Sequence, residues 1–171
     1  ALCGMTLPFI QGAPRFDFST GIQSLSISGH KLIGSPVPCG VVLALKQNVD
    51  RIARSIEYVG TLDTTITGSR NAITPLMLWY AIRSYGMKGF GKIVNECIQR
   101  AEYVVDKLND IGVVAWRNPH AITVVFPKPA LTILETWQLA VQEDFAHIMV
   151  MPHVTRGKID ELVVDINSSS S

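Results

Sequence analysis

The stretch SISGHKLIGSPVPCG, residues 26–40, sets a histidine beside a lysine among three glycines and two prolines, just before the apolar run GVVLAL. A lysine amine does covalent chemistry when its surroundings keep it deprotonated or tie it up as an imine, and a carboxylate partner would defeat both. No acid occurs between Asp17 and Asp50, so Lys31 has no salt-bridge partner nearby in the sequence. Ser28 and His30 flank it with a hydroxyl and an imidazole, and Gly29 lets backbone approach closely. With N–H groups left free in a turn, this set suits a phosphate. The plain alternative is a tight strand-to-strand turn with an incidental exposed lysine, and an HK dipeptide alone favours that.

Other residue patterns carry less. GMKGFGK (86–92) has the glycine and lysine spacing of a phosphate-binding P-loop, but Ile93 stands where a hydroxyl must hold Mg²⁺. A helical pattern precedes it where a strand is needed, so it reads as a helix–helix turn. The four histidines form no HxxxH or HExxH pattern, which argues against a metal site. Cys3, Cys39 and Cys97 are odd in number and unpaired in spacing, as expected of reduced thiols in a cytoplasmic protein. His120 reads as a solvated turn residue, while His147 and His153 flank a strand with structural roles. Cys39 reads as a small buried residue, and Asp63 receives no role.

The elements that must position Lys31 follow from periodicity. Residues 23–28 alternate as a short strand and 40–45 read as a buried one. Asn48 is expected to cap a helix carrying Val49, Ile52, Ala53 and Ile56, and 58–70 to form a long loop. A helix is predicted over 71–85, with Pro75 in its first turn and Gly86 as its stop. A longer one is predicted over 90–110, with a stripe of Ile93, Cys97, Ala101, Val104, Val105, Leu108 and Ile111 ended by Gly112. Strands are expected over 113–117 and 121–126 around an Asn118-Pro119 turn, and alternation of Trp137, Leu139 and Val141 suggests another. Residues 146–151 read as a strand, and Thr155 as the cap of a last helix with Ile159, Leu162, Val163 and Ile166 inward. The chain from about residue 90 onward thus reads as a small α+β domain.

Composition bounds the function classes. The 171 residues are 47% hydrophobic and 17% charged, with a mean hydropathy of +0.26. That charged fraction is below the usual quarter, and the apolar surplus suggests surface buried against another chain or segment. A net charge of +1 with interspersed signs gives no case for nucleic acid or an anionic membrane. The longest apolar run, 76–82, is far too short to span a bilayer, and no leader pattern marks secretion. The opening ALCGMTLPF starts apolar and without Met, and the chain ends on four serines, so a piece of a longer polypeptide is expected.

Read as a longer string, SxSGHKxxGxPxPCGxV resembles the cofactor-lysine segment of the pyridoxal-phosphate-dependent group II amino-acid decarboxylases. The likeness is greatest to bacterial histidine decarboxylases and the related plant serine decarboxylases. ALCGMTLPF is similar to the segment after the family's cofactor-binding aspartate, and YVGTLDTTITGSRN (58–71) to the loop before its SRN signature. PLMLWYAI (75–82) resembles the following helix and MPHVT (151–155) a small-domain strand end, so the likeness runs in order over residues 1–166. Two features depart from the pattern. The aspartate expected before Ala1, and the upstream half with a ring-stacking histidine, are not in this sequence. Ala72-Ile73 stand where the family commonly has Gly-His.

The resemblance implies an α/β architecture of fold type I (aspartate aminotransferase-like), with residues 1–89 ending the large cofactor domain and 90–171 forming a small C-terminal domain. It implies that Lys31 holds pyridoxal 5'-phosphate as an internal aldimine, that Ser28 and His30 contact its phosphate, and that Ala1 lies against its ring. Thr67 or Ser69 would reach the neighbouring subunit's phosphate, and Tyr58 would donate the proton to Cα. The implied activity is decarboxylation of an L-amino acid, histidine first, by a homodimer with shared sites that also needs the missing N-terminal half. Rival readings are a serine or other amino-acid decarboxylase, a cysteine desulfurase-like lyase, and a non-catalytic half that packs against a partner.

Overall fold

The structure, a computed structural model, describes residues 2–56, 60–63 and 71–169, with main chain only at 3, 55, 56 and 61. The chain divides into two compact units, Ala1–Pro8 with Gly12–Gly86, and Phe9–Gln11 with Met87–Ser171.

In the first unit, the short helix α1 (Cys3–Thr6) leads to single helical turns at Leu7–Phe9 and Phe18–Thr20. Strands β1 (Ser24–Ser28) and β2 (Gly40–Ala44) then pair antiparallel, with Ser24 opposite Ala44 and Ser28 opposite Gly40. The serines that alternate with Leu25 and Ile27 along β1 fit this half-buried ladder. At the far end, the Asn48 amide donates to the Gln23 side chain at 3.1 Å, inside α2 (Lys46–Asp50). Asn48 is therefore not a cap, and the expected helix stops at Asp50. The chain turns into β3 (Arg54–Ile56), which pairs with β4 (Thr61–Asp63), so the run 58–70 is not wholly loop.

Helix α3 (Ile73–Asp110) contains a break at Gly86, whose φ of 55° and ψ of −170° leave the helical region. Its first limb, 73–85, starts where Asn71 Oδ1 accepts the Thr74 N–H and hydroxyl, both at 2.8 Å. This satisfies one of the free donors of a helix start. The limb is apolar nearly all round, a pattern proper to a helix covered on every side. Only Thr74, Leu78 and Ala81 are withdrawn from solvent, one narrow stripe. Ile73, Leu76, Trp79, Tyr80 and Ile82 stay exposed, Tyr80 at 68%.

The second unit has a core of its own. The limb 87–110 buries Cys97, Ala101, Val104 and Leu108 of the predicted stripe completely, with Val94 rather than the expected Ile93 filling its first position. Strands β5 (Thr123–Pro127), β6 (Ala140–Gln142) and β7 (Phe145–Met149) form an antiparallel sheet in the order β5-β7-β6. Val124, Phe126 and Ala146 join that stripe, together with Ile159, Leu162, Val163 and Ile166 of α5 (Arg156–Ser169). The Thr155 hydroxyl accepts the Lys158 N–H at 3.3 Å, as a cap should.

Three elements differ from expectation. The strand expected over 113–117 reduces to one bridge between Trp116 and Val125. Asn109 takes both main-chain groups of Ala115, each at 3.1 Å, so they are not available to a ladder. Trp137 ends a helix, α4 (Leu131–Trp137), which has no side-chain cap to announce it. Gln138 then reverses the chain at φ 49°, and the strand begins only at Ala140. His147 lies within β7 rather than beside it.

Arg100 is the polar tie of this unit. Its guanidinium is 14% exposed and donates to Pro152 O at 2.9 Å and Val154 O at 2.8 Å. Arg100→Met should cost about 1–3 kcal/mol by stranding those carbonyls. Lys92→Met, which loses only an exposed pair to Glu96 at 4.0 Å, should stay within about 0.5 kcal/mol. Urea midpoints of the two variants check the contrast.

Candidate functional site

The hairpin turn between β1 and β2 brings Ser28, His30 and Lys31 together. Gly29 N–H donates to Cys39 O at 3.0 Å, extending the ladder by one rung, and Lys31 N–H closes a turn onto Ser28 O at 3.3 Å. Leu32 and Ile33 are buried behind Lys31 and anchor the loop, and Gly34 takes a left-handed φ of 85°. Lys31 itself is half-buried.

Gly29 is required by space rather than by φ. A Cβ there would lie 2.6 Å from Cys39 Sγ and 3.0 Å from Leu78 Cδ2. Cys39, read from sequence as a small buried residue, is half-buried, and its main chain matters more than its thiol. His30 Nδ1 lies 3.1 Å from the Cys39 amide nitrogen and 2.9 Å from the Cys39 carbonyl oxygen. That carbonyl already receives the Gly29 N–H, so accepting the Cys39 N–H satisfies both main-chain groups. In the tautomer that accepts there, the ring proton is carried by Nε2. No sequence signal could reveal the Cys39 contribution, because peptide groups carry no residue identity.

The electrostatics are one-signed. Among the described residues, the Lys31 side-chain amine has no hydrogen-bond or ion-pair partner, and the Ser28 hydroxyl is likewise uncommitted. Asp17 is engaged elsewhere: bonds from Ser19, and then the Arg15 guanidinium, hold its carboxyl below the usual range. Asp50 pairs with Lys46 at 2.7 Å. A hydroxyl, an imidazole and a lysine amine with no carboxylate partner among the described residues form a set that fits a phosphate ester and a reactive carbonyl.

Other candidates lie elsewhere. Ala1, Tyr58, Thr67 and Ser69 fall outside the described residues. Cys97 is fully buried on α3, where burial pushes its thiol up and keeps it unreactive. His120 is half-buried in a turn at φ 63°, and His153 is exposed.

The model of the pyridoxal-dependent decarboxylase conserved domain matches residues 5–127. The chain belongs to this family. It is 48% identical over 168 residues to a histidine decarboxylase of Mesorhizobium japonicum, covering 98% of this chain and 45% of that protein. The structure of an L-methionine decarboxylase from Streptomyces sp. 590 is similar, with a TM-score of 0.75 at 31% identity over 86% of this chain and 31% of that one. A glutamate decarboxylase of Lactobacillus brevis, at 17% identity and a TM-score of 0.77 over 97% of this chain and 44% of that one, shares the fold. The fold is thus the α/β fold type I of these enzymes, and the family cofactor is pyridoxal phosphate. The chain spans less than half the length of the relatives it matches.

Gly29→Ala should destabilise the turn by about 1–3 kcal/mol, the usual range for an overpacked position. Removing the obstructing sulfur in Gly29→Ala/Cys39→Ala should recover part of that loss. A double mutant no more stable than Gly29→Ala, compared by thermal midpoints, would contradict this account of the glycine.

Proposed function

We propose that the protein containing this chain decarboxylates L-histidine to histamine and CO₂ as a pyridoxal-phosphate-dependent carboxy-lyase. The observation that carries the reading is Lys31, half-buried in a closed turn beside Ser28 and His30, without a carboxylate partner among the described residues. The 48% identity to a histidine decarboxylase supports histidine as the substrate.

When bound, pyridoxal phosphate supplies the electron sink that lets the α-carboxylate leave as CO₂. The chain's residues do the rest. Lys31 Nζ would hold the cofactor covalently until substrate binds. The His30 Nε2–H and the Ser28 hydroxyl bind the phosphate, and the ring's anchorage on Cys39 fixes the direction of that N–H. Leu32 and Ile33 back the loop with apolar surface that keeps water from beneath it. In this reading Tyr58 would supply the proton to Cα, Ala1 would contact the cofactor, and Thr67 or Ser69 would bind the phosphate held by a second subunit.

This reading makes residues 1–89 the end of the large cofactor domain and 90–171 the small one. The partners are a second copy and an N-terminal half that supplies the ring-nitrogen aspartate and stacking histidine. The exposed Leu76, Trp79, Tyr80 and Ile82 support such a covering. The setting is cytoplasmic, and no described helix is long and apolar enough to cross a membrane.

The assembled protein, incubated in turn with histidine, methionine, serine and aromatic amino acids, should release CO₂ from histidine and lose that release in Lys31→Ala. Release from serine or methionine but not histidine would overturn the substrate. His30→Ala should weaken cofactor binding about 10- to 100-fold, the loss of one hydrogen bond to a charged group. Mixed dimers of Lys31→Ala and Ser69→Ala subunits should bind more cofactor than either parent, because cross-subunit sharing leaves one intact site in each. Binding equal to the parents would exclude the shared phosphate.

A further inference from the structure

One polar side chain of the turn has had no role so far. Ser35 is buried, 7% exposed, four residues beyond Lys31. Its N–H donates to Gly29 O at 3.0 Å, closing the loop 29–35 around Lys31. Its hydroxyl donates to Val37 O at 2.8 Å and accepts the Val37 N–H at 3.3 Å. Pro36 and Pro38 have no N–H, so Val37 carries the single main-chain donor between Ser35 and Cys39. Ser35 engages both polar groups of Val37 and thereby sets the path of the segment that ends at Cys39. Cys39 in turn holds the His30 ring and Gly29 N–H. One hydroxyl therefore couples the loop that carries Lys31 to the peptide that orients His30.

We propose that Ser35 is a positioning residue for Lys31 and His30: it fixes the amine relative to the phosphate donors before cofactor arrives. The inference rests on the reading of Lys31 as the cofactor lysine and goes beyond it. A loop ordered in advance loses little freedom on binding, so its gain is in affinity and in the environment of the amine. Without the hydroxyl, Val37 N–H and C=O lose their local partner and the return segment is no longer tied to the lysine loop.

The test uses the assembled, cofactor-loaded protein and its Ser35→Ala and Ser35→Thr variants. Borohydride reduction with peptide mapping reports whether cofactor is bound to residue 31. Cofactor dissociation rate, the pH dependence of the visible absorbance and the urea midpoint of the cofactor-free form are measured beside it. Ser35→Ala should release cofactor about tenfold faster, the equivalent of one hydrogen bond. It should also shift the pH profile of the absorbance, which a merely structural serine would not move. Ser35→Thr keeps the hydroxyl and should stay within about threefold of the parent. An Ala variant with a lower urea midpoint but unchanged dissociation and pH profile would reduce Ser35 to a stability residue and overturn the proposal. If the parent protein itself gives no adduct at Lys31, the underlying cofactor reading fails first, and the positioning role with it.

Discussion

Two main-chain hydrogen bonds hold the site together: Gly29 N–H to Cys39 O, and Ser35 N–H to Gly29 O. Both use the same residue, so Gly29 is where the ladder of β1 and β2 ends and the lysine loop begins. The register Ser28 opposite Gly40 places Cys39 next to Gly29, and every other feature of the turn inherits that placement. The imidazole can rest on Cys39 only because the ladder has brought it there. The packing of Cys39 Sγ and Leu78 leaves no room for a side chain at residue 29. A backbone contact this close is a geometric demand that one residue type meets.

The demand explains why the apolar limb of α3 begins where it does. Leu78 lies on its inner stripe with Thr74 and Ala81 and packs against the hairpin's glycine, while Asn71 caps the helix start at Thr74. Gly86 then releases the chain from helical geometry. The second unit makes no such use of close backbone approach. Its core is a buried stripe on one helix, one sheet face and α5, tied at the rim by Arg100 and by a Trp137 N–H to Asp165 bond of 2.9 Å.

Legibility in the sequence divides along the same line. Periodicity placed β1, the second limb of α3 and the last helix, because each buries one face and the alternation or 3.6-residue spacing records it. The apolar run 40–45 also forms a strand, but not the buried one expected, since Val42 and Leu43 of β2 stand exposed. The chemistry at Lys31 was visible as residue types, and the resemblance supplied the cofactor. What stayed hidden was what peptide groups or uncapped ends decide. Asn109 diverts Ala115 from a ladder through its side chain, and α4 is preceded by Ala130, which has no capping oxygen. Cys39 and Ser35 act through main-chain partners that no spacing encodes. Asn48 carries the right type for a cap but sits where the Gln23 amide claims it.

The uncovered limb 73–85 has a consequence for the protein's life before it ever meets substrate. The second unit has a buried core of its own on which to condense. The first unit shows Leu76, Trp79 and Tyr80 to water until something lies over them, and surfaces of that kind are what chaperones hold and proteases sample. Abundance is then governed by how quickly the face is covered rather than by the strength of either core. A substitution on the outer side of this helix, remote from Lys31, would reach the cell as a change in how much folded protein survives rather than as a change at the lysine turn.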